Sequence, residues 1–286
     1  MTSSSCRGPL RHVNLNPNSP EAENMPCVEA PSFTSPPTGS AFRGVLVTPL
    51  IAVWVLFASS TLALLALCFR RWTRKNLQAL IGAWGRVPLF LAGVRVELHG
   101  EEHLQAPGPK LFLFNHVSTL DLFLLAAHAP PLPCVAYKRE FHFVPGIGWA
   151  LYALRMIEID RRDAERSIKS LERAGERLAN ERLSLMMAPE GTRSRRGGLQ
   201  AFKKGPFHVA IATGAPIYPM ILRGIEEVCP MGSWIIRSGV IRADCLPPIE
   251  TSGWETDSIE GHIASTRAVF LNYLPPERGS QTESSS

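Results

Sequence analysis

The stretch Lys110-Leu111-Phe112-Leu113-Phe114-Asn115-His116-Val117-Ser118-Thr119-Leu120-Asp121-Leu122-Phe123-Leu124-Leu125-Ala126-Ala127 decides how the rest of the chain is read. Its opening residues are apolar and aromatic after the lysine, a short run that suits a buried strand. Leu120 to Ala127 are strong helix formers, with Ser118 or Thr119 placed to act as the N-cap. His116 then falls in a strand-to-helix turn, and Asp121 in the first turns of the helix. An imidazole and a carboxylate so spaced can share a hydrogen bond. The carboxylate would hold one ring nitrogen protonated and leave the other free to take a proton from a hydroxyl. A capping Asp beside an incidental His accounts for the same spacing, so the pair alone decides nothing.

A second polar cluster changes that balance. Ala188-Pro189-Glu190-Gly191-Thr192-Arg193-Ser194 follows another apolar run, Leu183-Ser184-Leu185-Met186-Met187. The loop beyond holds Arg193, Arg195, Arg196, Lys203 and Lys204, with no acid between Arg193 and Lys204 and with Gly197 and Gly198 to permit tight turns. An arginine fork beside backbone N–H groups and a helix start suits an anion, phosphate above all. As a bare charge run it would read as a solvated loop. Its place beyond a strand end favours a site, because ligands of open α/β sheets bind there.

Outward from these two stretches, strand and helix patterns alternate. Val94-Arg95-Val96-Glu97-Leu98 reads as a half-exposed edge strand. Further strands are expected at 110–114, 134–137, 155–159, 183–187 and 216–222, and one more at 239–243. Helices are expected at 119–127, 147–153, 163–181, about 204–213 with Gly214 ending it, and 255–273. In the helix 163–181, Ala164, Ile168, Leu171 and Leu178 share one face, and Gly175 on that face would let a neighbour pack close. The alternation defines an α/β fold with a mixed, mostly parallel central sheet flanked by helices, over residues 94–274.

The amino-terminal part differs. Residues 1–43 are rich in Ser, Pro, Asn and Thr and lack any period, so disorder is expected, and Met25 is an alternative start to Met1. From Gly44 to Phe69 no residue is charged, which predicts a transmembrane helix over 44–69. A buried core helix is the weaker reading, since the run is apolar on all sides. Arg70, Arg71, Arg74 and Lys75 on its flank place that end in the cytoplasm and suit an anionic bilayer surface. Residues 70–93, aromatic-bearing and interrupted by Gly85-Arg86, read as an amphipathic interfacial segment. The tail 275–286 is polar. The net charge of +5 is mild, and no nucleic-acid-binding motif accompanies the basic clusters. The six cysteines show neither CxxC pairs nor metal-ligand spacing with His, and read as reduced, packed thiols.

Together the two polar stretches resemble the glycerolipid acyltransferase family that contains the 1-acyl-glycerol-3-phosphate acyltransferases. Its N-H-x4-D motif is matched by Asn115, His116 and Asp121. Its F-P-E-G-T-R-S motif is matched from Pro189 to Ser194, with Ala188 in place of the aromatic. Met156-Ile157-Glu158-Ile159-Asp160-Arg161 resembles an apolar strand ending in D-R, although Glu158 stands where an apolar residue is expected. Lys138-Arg139-Glu140-Phe141, Pro145-Gly146-Ile147-Gly148 and Ala215-Pro216-Ile217-Tyr218-Pro219 resemble the remaining motifs in order.

The resemblance implies acyl transfer from a thioester to an alcohol, with His116 as base and Asp121 as its orienter. No G-x-S-x-G elbow occurs, which agrees with direct attack and no acyl-enzyme. Acceptor binding falls to Arg193 with Lys138, Lys203 or Lys204, and to the turn formed by Glu190, Gly191 and Thr192. Backbone N–H groups near Gly191 are candidates for the oxyanion. No metal or redox cofactor is implied. The partners implied are a lysophospholipid acceptor, acyl-CoA or acyl-carrier protein as donor, and the bilayer itself. The protein would be single-pass or monotopic, with its catalytic domain facing the cytoplasm. The same chemistry on glycerol-3-phosphate or a lyso-amino-lipid, and a non-catalytic membrane-bound module, are the alternatives.

Overall fold

The computed structural model describes residues 41–160, 164–193, 198–230, 232–233 and 235–274. The segment 1–40 with Met25, Cys6 and Cys27, the tail 275–286, and the motif residues Arg161, Ser194, Arg195, Arg196 and Gly197 lie outside the described residues.

The chain opens with α1 (Ala41–Cys68), α2 (Arg70–Lys75) and α3 (Leu77–Ala92). Then come β1 (Val94–His99), α4 (Glu101–Gln105), β2 (Lys110–Phe114), α5 (Leu120–Ala127), β3 (Pro133–Lys138) and α6 (Ile147–Ala153). Next are β4 (Ile157–Ile159), α7 (Ala164–Glu181), β5 (Ser184–Met187), α8 (Gly205–Thr213), β6 (Ile217–Arg223) and α9 (Ile225–Val228). The order closes with β7 (Gly239–Cys245) and α10 (Ile259–Tyr273).

Among the described residues the strands form one seven-stranded sheet in the order β1-β7-β6-β2-β5-β3-β4. Neighbours run parallel except β6 and β7, which are antiparallel. Every residue of β2, β5 and β6 is buried, which is why these strands read as unbroken apolar runs. The edge strand β1 is half-exposed, as its alternation predicts. One face of the sheet carries a core built from α1, α3, α5 and α6, around Phe112, Leu124, Met186 and Ile241. The other carries α7, α8 and α10, around Leu111, Leu178, Phe207 and Phe270.

Packing amends several local expectations. Gly85 does not interrupt α3; a Cβ there would lie 2.4 Å from the Phe123 carbonyl oxygen and 2.5 Å from the Ala127 nitrogen. The glycine is what lets α3 touch the backbone of α5. The apolar face of the 70–93 segment is therefore spent largely on α5, while Phe90 points outward, 80% exposed. In α7 the buried apolar side chains are Ala174 and Leu178 with Leu171 packed against them, and Ile168 is exposed. Gly175 of that helix meets the Thr213 methyl of α8 at 3.3 Å from a built Cβ, the close neighbour expected.

Among the described residues α1 is the one helix long and apolar enough to cross a membrane, by length and composition. It is also fastened to the domain along its length. Ile51, Ala58, Leu62 and Ala63 join the core. Trp54 Nε1 donates to the Trp84 carbonyl at 3.2 Å, and Trp84 Nε1 to Ser59 Oγ at 3.0 Å.

Candidate active site at the carboxyl edge of the sheet

Because β2, β3, β5 and β6 run the same way, their carboxyl ends share one edge. The loops after β2 and β5 meet there. Asn115, buried at the end of β2, brackets one residue of β6: its Nδ2 donates to the Leu222 carbonyl at 2.8 Å, and its Oδ1 accepts the Leu222 N–H at 2.7 Å. A side-chain amide so placed extends the ladder by one rung after the backbone has turned away. That fixes where His116 begins.

His116 Nδ1 lies 2.7 Å from Asp121 Oδ2, the carboxylate being almost fully buried and the ring about a third exposed. The same Oδ2 accepts the N–H groups of Val117 at 2.7 Å and Ser118 at 3.0 Å. Of the two expected N-caps, Ser118 accepts the Leu120 N–H on its Oγ at a long 3.4 Å. Thr119 makes no side-chain cap, and Asp121 reaches back to hold the turn. An oxygen already accepting two N–H groups takes a third donor from the ring, so Nδ1 carries the proton and Nε2 is left with its lone pair. Phe114 stacks edge-on at 5.9 Å between ring centroids and limits rotation of the imidazole.

Glu190 joins the two loops. Its Oε1 accepts the His116 N–H at 2.9 Å and its Oε2 the Gln200 N–H at 2.9 Å. Burial pushes this carboxyl up to about 7, against the two N–H groups and the nearby imidazole, which pull it down. Gly191 sits at φ +74°, and its N–H donates to the Ala188 carbonyl at 3.1 Å. That N–H closes the turn and is spent, so it drops out of the expected oxyanion donors. Arg193 reaches across to the first motif, donating from Nη1 to Thr119 Oγ1 at 2.8 Å. Thr192 lies at the exposed surface of the loop, 3.5 Å from Gln200 Oε1.

The lysines divide. Lys138 ends β3 at the same edge, half-buried. Lys203 is exposed, and its N–H donates to the Pro189 carbonyl at 2.8 Å. Lys204 is held by Glu260 of α10 at 2.6 Å, so its ammonium is not gathered with Arg193. Of the expected cations, Arg193 is the one bonded to the His116 segment.

Sequence reading missed Gln200, whose Nε2 also donates to the Arg193 carbonyl at 3.1 Å, and Leu222 as the partner of Asn115. Glu158, the departure from the expected apolar residue, is explained by its neighbours. It lies 3.4 Å from His142 and 3.8 Å from Arg139, and Asp160 accepts from Arg139 at 3.3 Å. Among the described residues no group of three His, Cys, Asp or Glu side chains is placed to hold a metal ion. Burial raises the Cys134 and Cys245 thiols to about 12, which leaves them unreactive as packed residues.

The sheet, its loops and the His-carboxylate pair define an acyltransferase-like domain, and residues 95–223 match the Acyltransferase family. A 1-acyl-sn-glycerol-3-phosphate acyltransferase of Limnanthes douglasii is 33% identical over 191 residues, 67% of each chain. The alpha form of that enzyme from Homo sapiens is 28% identical over 182 residues, 64% of each chain. The crystal structure of the 1-acyl-sn-glycerophosphate (LPA) acyltransferase PlsC from Thermotoga maritima has the same fold. Its TM-score is 0.67 at 23% identity, covering 80% of this chain and 95% of that one. The chain belongs to the glycerolipid (1-acyl-sn-glycerol-3-phosphate) acyltransferase family.

Proposed function

We propose that the protein is a membrane-attached O-acyltransferase that moves a fatty acyl group from acyl-CoA or acyl-carrier protein to the free hydroxyl of 1-acylglycerol-3-phosphate, giving phosphatidic acid. The observation that carries this reading is the His116–Asp121 pair at 2.7 Å, with Arg193 bonded beside it at Thr119. The names of the relatives support the acceptor. In the proposed reaction His116 Nε2 takes the hydroxyl proton as the alcohol oxygen attacks the thioester carbonyl. The tetrahedral adduct then collapses, the C–S bond breaks, and the imidazolium returns the proton to the leaving thiolate. Asp121 holds the ring and offsets the imidazolium charge. Arg193, with Lys138 or Lys203 at the same edge, binds the phosphate of the acceptor.

An open, almost wholly apolar cleft supports a fatty-chain substrate. It lies beside α5, lined among others by Leu62, Trp84, Leu122, Ala126, Met156 and Met186. Attachment rests on α1. A helix tied to α3 and α6 along its length cannot cross a bilayer alone without drawing the domain in, so the monotopic arrangement is the one proposed. In it the exposed residues Val53, Phe57, Leu64 and Leu67 face lipid. The cytoplasmic side follows from the cytosolic donor and the basic flank.

The test is an acceptor panel with purified protein and labelled acyl thioester. His116→Ala should lower turnover by at least about a hundredfold with 1-acylglycerol-3-phosphate as the preferred acceptor. Wild-type rates in His116→Ala, or no preference for that acceptor over glycerol-3-phosphate, would overturn the reading.

A further inference from the structure

At the opposite edge of the sheet, where β3 and β5 begin, the ends of α1, α6 and α7 and the start of α2 surround an open cleft of about 570 Å3. Its lining includes Arg70, Arg74, Arg155 and Arg177, and the one acid among the lining residues is Glu181. Arg177 Nε donates to Glu181 Oε1 at 2.8 Å, Arg74 Nη2 approaches Oε2 at 3.2 Å, and Arg155 stands off at 3.9 Å. These guanidiniums hold Glu181 below the ordinary carboxylate range, Arg177 most of all, against the effect of burial. Arg70 has no acidic partner among the described residues. One carboxylate therefore faces three guanidiniums, with a fourth, Arg70, lining the same cleft, and the four come from three separate parts of the chain.

Two further features set this cluster apart from a solvated basic face. Arg155 adopts φ +58°, a left-handed conformation that a long side chain takes only under constraint. Its backbone is pinned from both ends: the N–H donates to Tyr152 at 2.9 Å, and the carbonyl accepts Arg177 Nη1 at 2.7 Å. The rim is aromatic and outward. Phe69, Trp72 and Tyr152, each beside a residue that lines the cleft or its α2 and α6 walls, are all more than half exposed, and the first two follow in sequence on the exposed Leu64 and Leu67 of α1. An apolar helix face that ends in aromatic residues and then arginines has the composition of a membrane–water boundary.

We propose that this cleft binds a phosphate-bearing anion, and that the anion in the membrane is the headgroup of an anionic phospholipid, which fixes the orientation of the molecule at the surface. The lipid source rests on the attachment by α1 proposed above; the anion chemistry does not. The cleft is at the far edge of the sheet from His116 and is separate from the acceptor site.

The test uses the full chain in co-sedimentation with vesicles of phosphatidylcholine alone and of phosphatidylcholine containing phosphatidic acid. Arg70→Gln/Arg155→Gln removes two exposed guanidiniums and should keep the wild-type melting temperature. It should lose about 25-fold in binding to the charged vesicles, about fivefold per arginine, and bind neutral ones as before. The control pair Arg95→Gln/Arg173→Gln, exposed elsewhere, should lose less than about twofold at this contact. Glu181→Gln, which removes the resident counter-charge, should bind charged vesicles more tightly. A purely structural ion cluster predicts no such gain. Equal losses in the two arginine pairs, or no gain in Glu181→Gln that remains folded, would overturn the proposal.

Inorganic phosphate separates the sources. It should raise the melting temperature of the wild type more than that of Arg70→Gln/Arg155→Gln, in which the proposed acceptor site at Arg193 remains, and should compete with charged vesicles. Stabilisation by phosphate without any effect of vesicle charge would assign the cleft to a soluble phosphate and overturn the lipid source. No response to either overturns the anion site. Loss of binding to neutral vesicles by the wild type would instead count against attachment by α1.

Discussion

Glu190→Gln is the substitution whose consequences follow most directly from the geometry. The carboxyl is 2% exposed and serves two N–H groups, those of His116 and Gln200. Its burial raises it from an ordinary 4.5 to about 7. Between those values the native state keeps a proton that the unfolded chain has lost. The proton therefore stabilises the fold fully below 4.5, and that contribution fades as the pH rises through 7. At about 1.4 kcal/mol per pH unit, the loss amounts to about 3 kcal/mol. Function has the opposite need. Only the ionised carboxylate can accept both N–H groups well; once protonated, one oxygen carries a hydrogen and faces a donor. Glutamine is locked in that second situation, leaving one buried donor poorly served at a cost of about 1–3 kcal/mol. Because the protonated wild-type carboxyl already carries that cost at low pH, Glu190→Gln should be close to wild type in stability at pH 5 and more stable by up to about 3 kcal/mol at pH 8. Urea unfolding in mild detergent at pH 5, 6, 7 and 8 measures this. Parallel stability curves for the two proteins would refute the buried, proton-binding carboxyl. In turnover assays the wild type should lose rate as pH falls through 7, and Glu190→Gln should be slow throughout.

Four further substitutions test separate parts of the structure. Arg193→Lys keeps the charge but loses the fork that reaches Thr119, so the KM for a phosphate-bearing acceptor should rise about tenfold with kcat changed by less than about threefold. Ala126→Phe fills part of the apolar cleft beside α5 and should shift preference to shorter acyl chains. The penalty is about fourfold in kcat/KM for each methylene excluded, read from a chain-length series. Gly85→Ala would drive a Cβ to 2.4 Å from the Phe123 carbonyl and should lower stability by about 1–3 kcal/mol. Gly261→Ala, a helical position with nothing within 4 Å, should raise it by about 0.5–1 kcal/mol, both read from thermal melts.

Much of the fold was legible because the physics behind it is local. The central strands are covered on both faces, so β2 and β5 show as unbroken apolar runs with no helical period. The edge strand β1 alternates because one face meets water. His116 and Asp121 are five residues apart and could be paired on paper. Beyond local range the sequence is silent. Nothing around Asn115 points to Leu222, 107 positions away, and nothing in Gln200 announces that it holds Glu190 and Arg193. Pattern carries no strand direction at any one pair, so the mixed sheet is legible from the sequence but the place of its antiparallel pair, β6–β7, is not. Helices α4 and α9 are too short to show a period. The charge run at 193–204 read as one group, yet Glu260, brought in by α10, takes Lys204 out of it.

The polar residues of the site divide by what they are bonded to, and the division bears on how variants should be interpreted. Asn115 spends both amide atoms on the backbone of β6, Asp121 gives one oxygen to two turn N–H groups and the ring, and Glu190 gives one oxygen to each loop. Most of the motif is thereby occupied in holding two loop backbones in register. Among the described residues of the two motifs, His116 Nε2 and the remaining guanidinium nitrogens of Arg193 are the groups left for the proposed substrate contacts. An isosteric change at Asn115, Asp121 or Glu190 accordingly acts on the position of the imidazole before it acts on any proton. Loss of turnover in such variants measures misplacement by fractions of an ångström, which proximity alone makes costly. Changes at His116 itself report most directly on the proposed proton transfer.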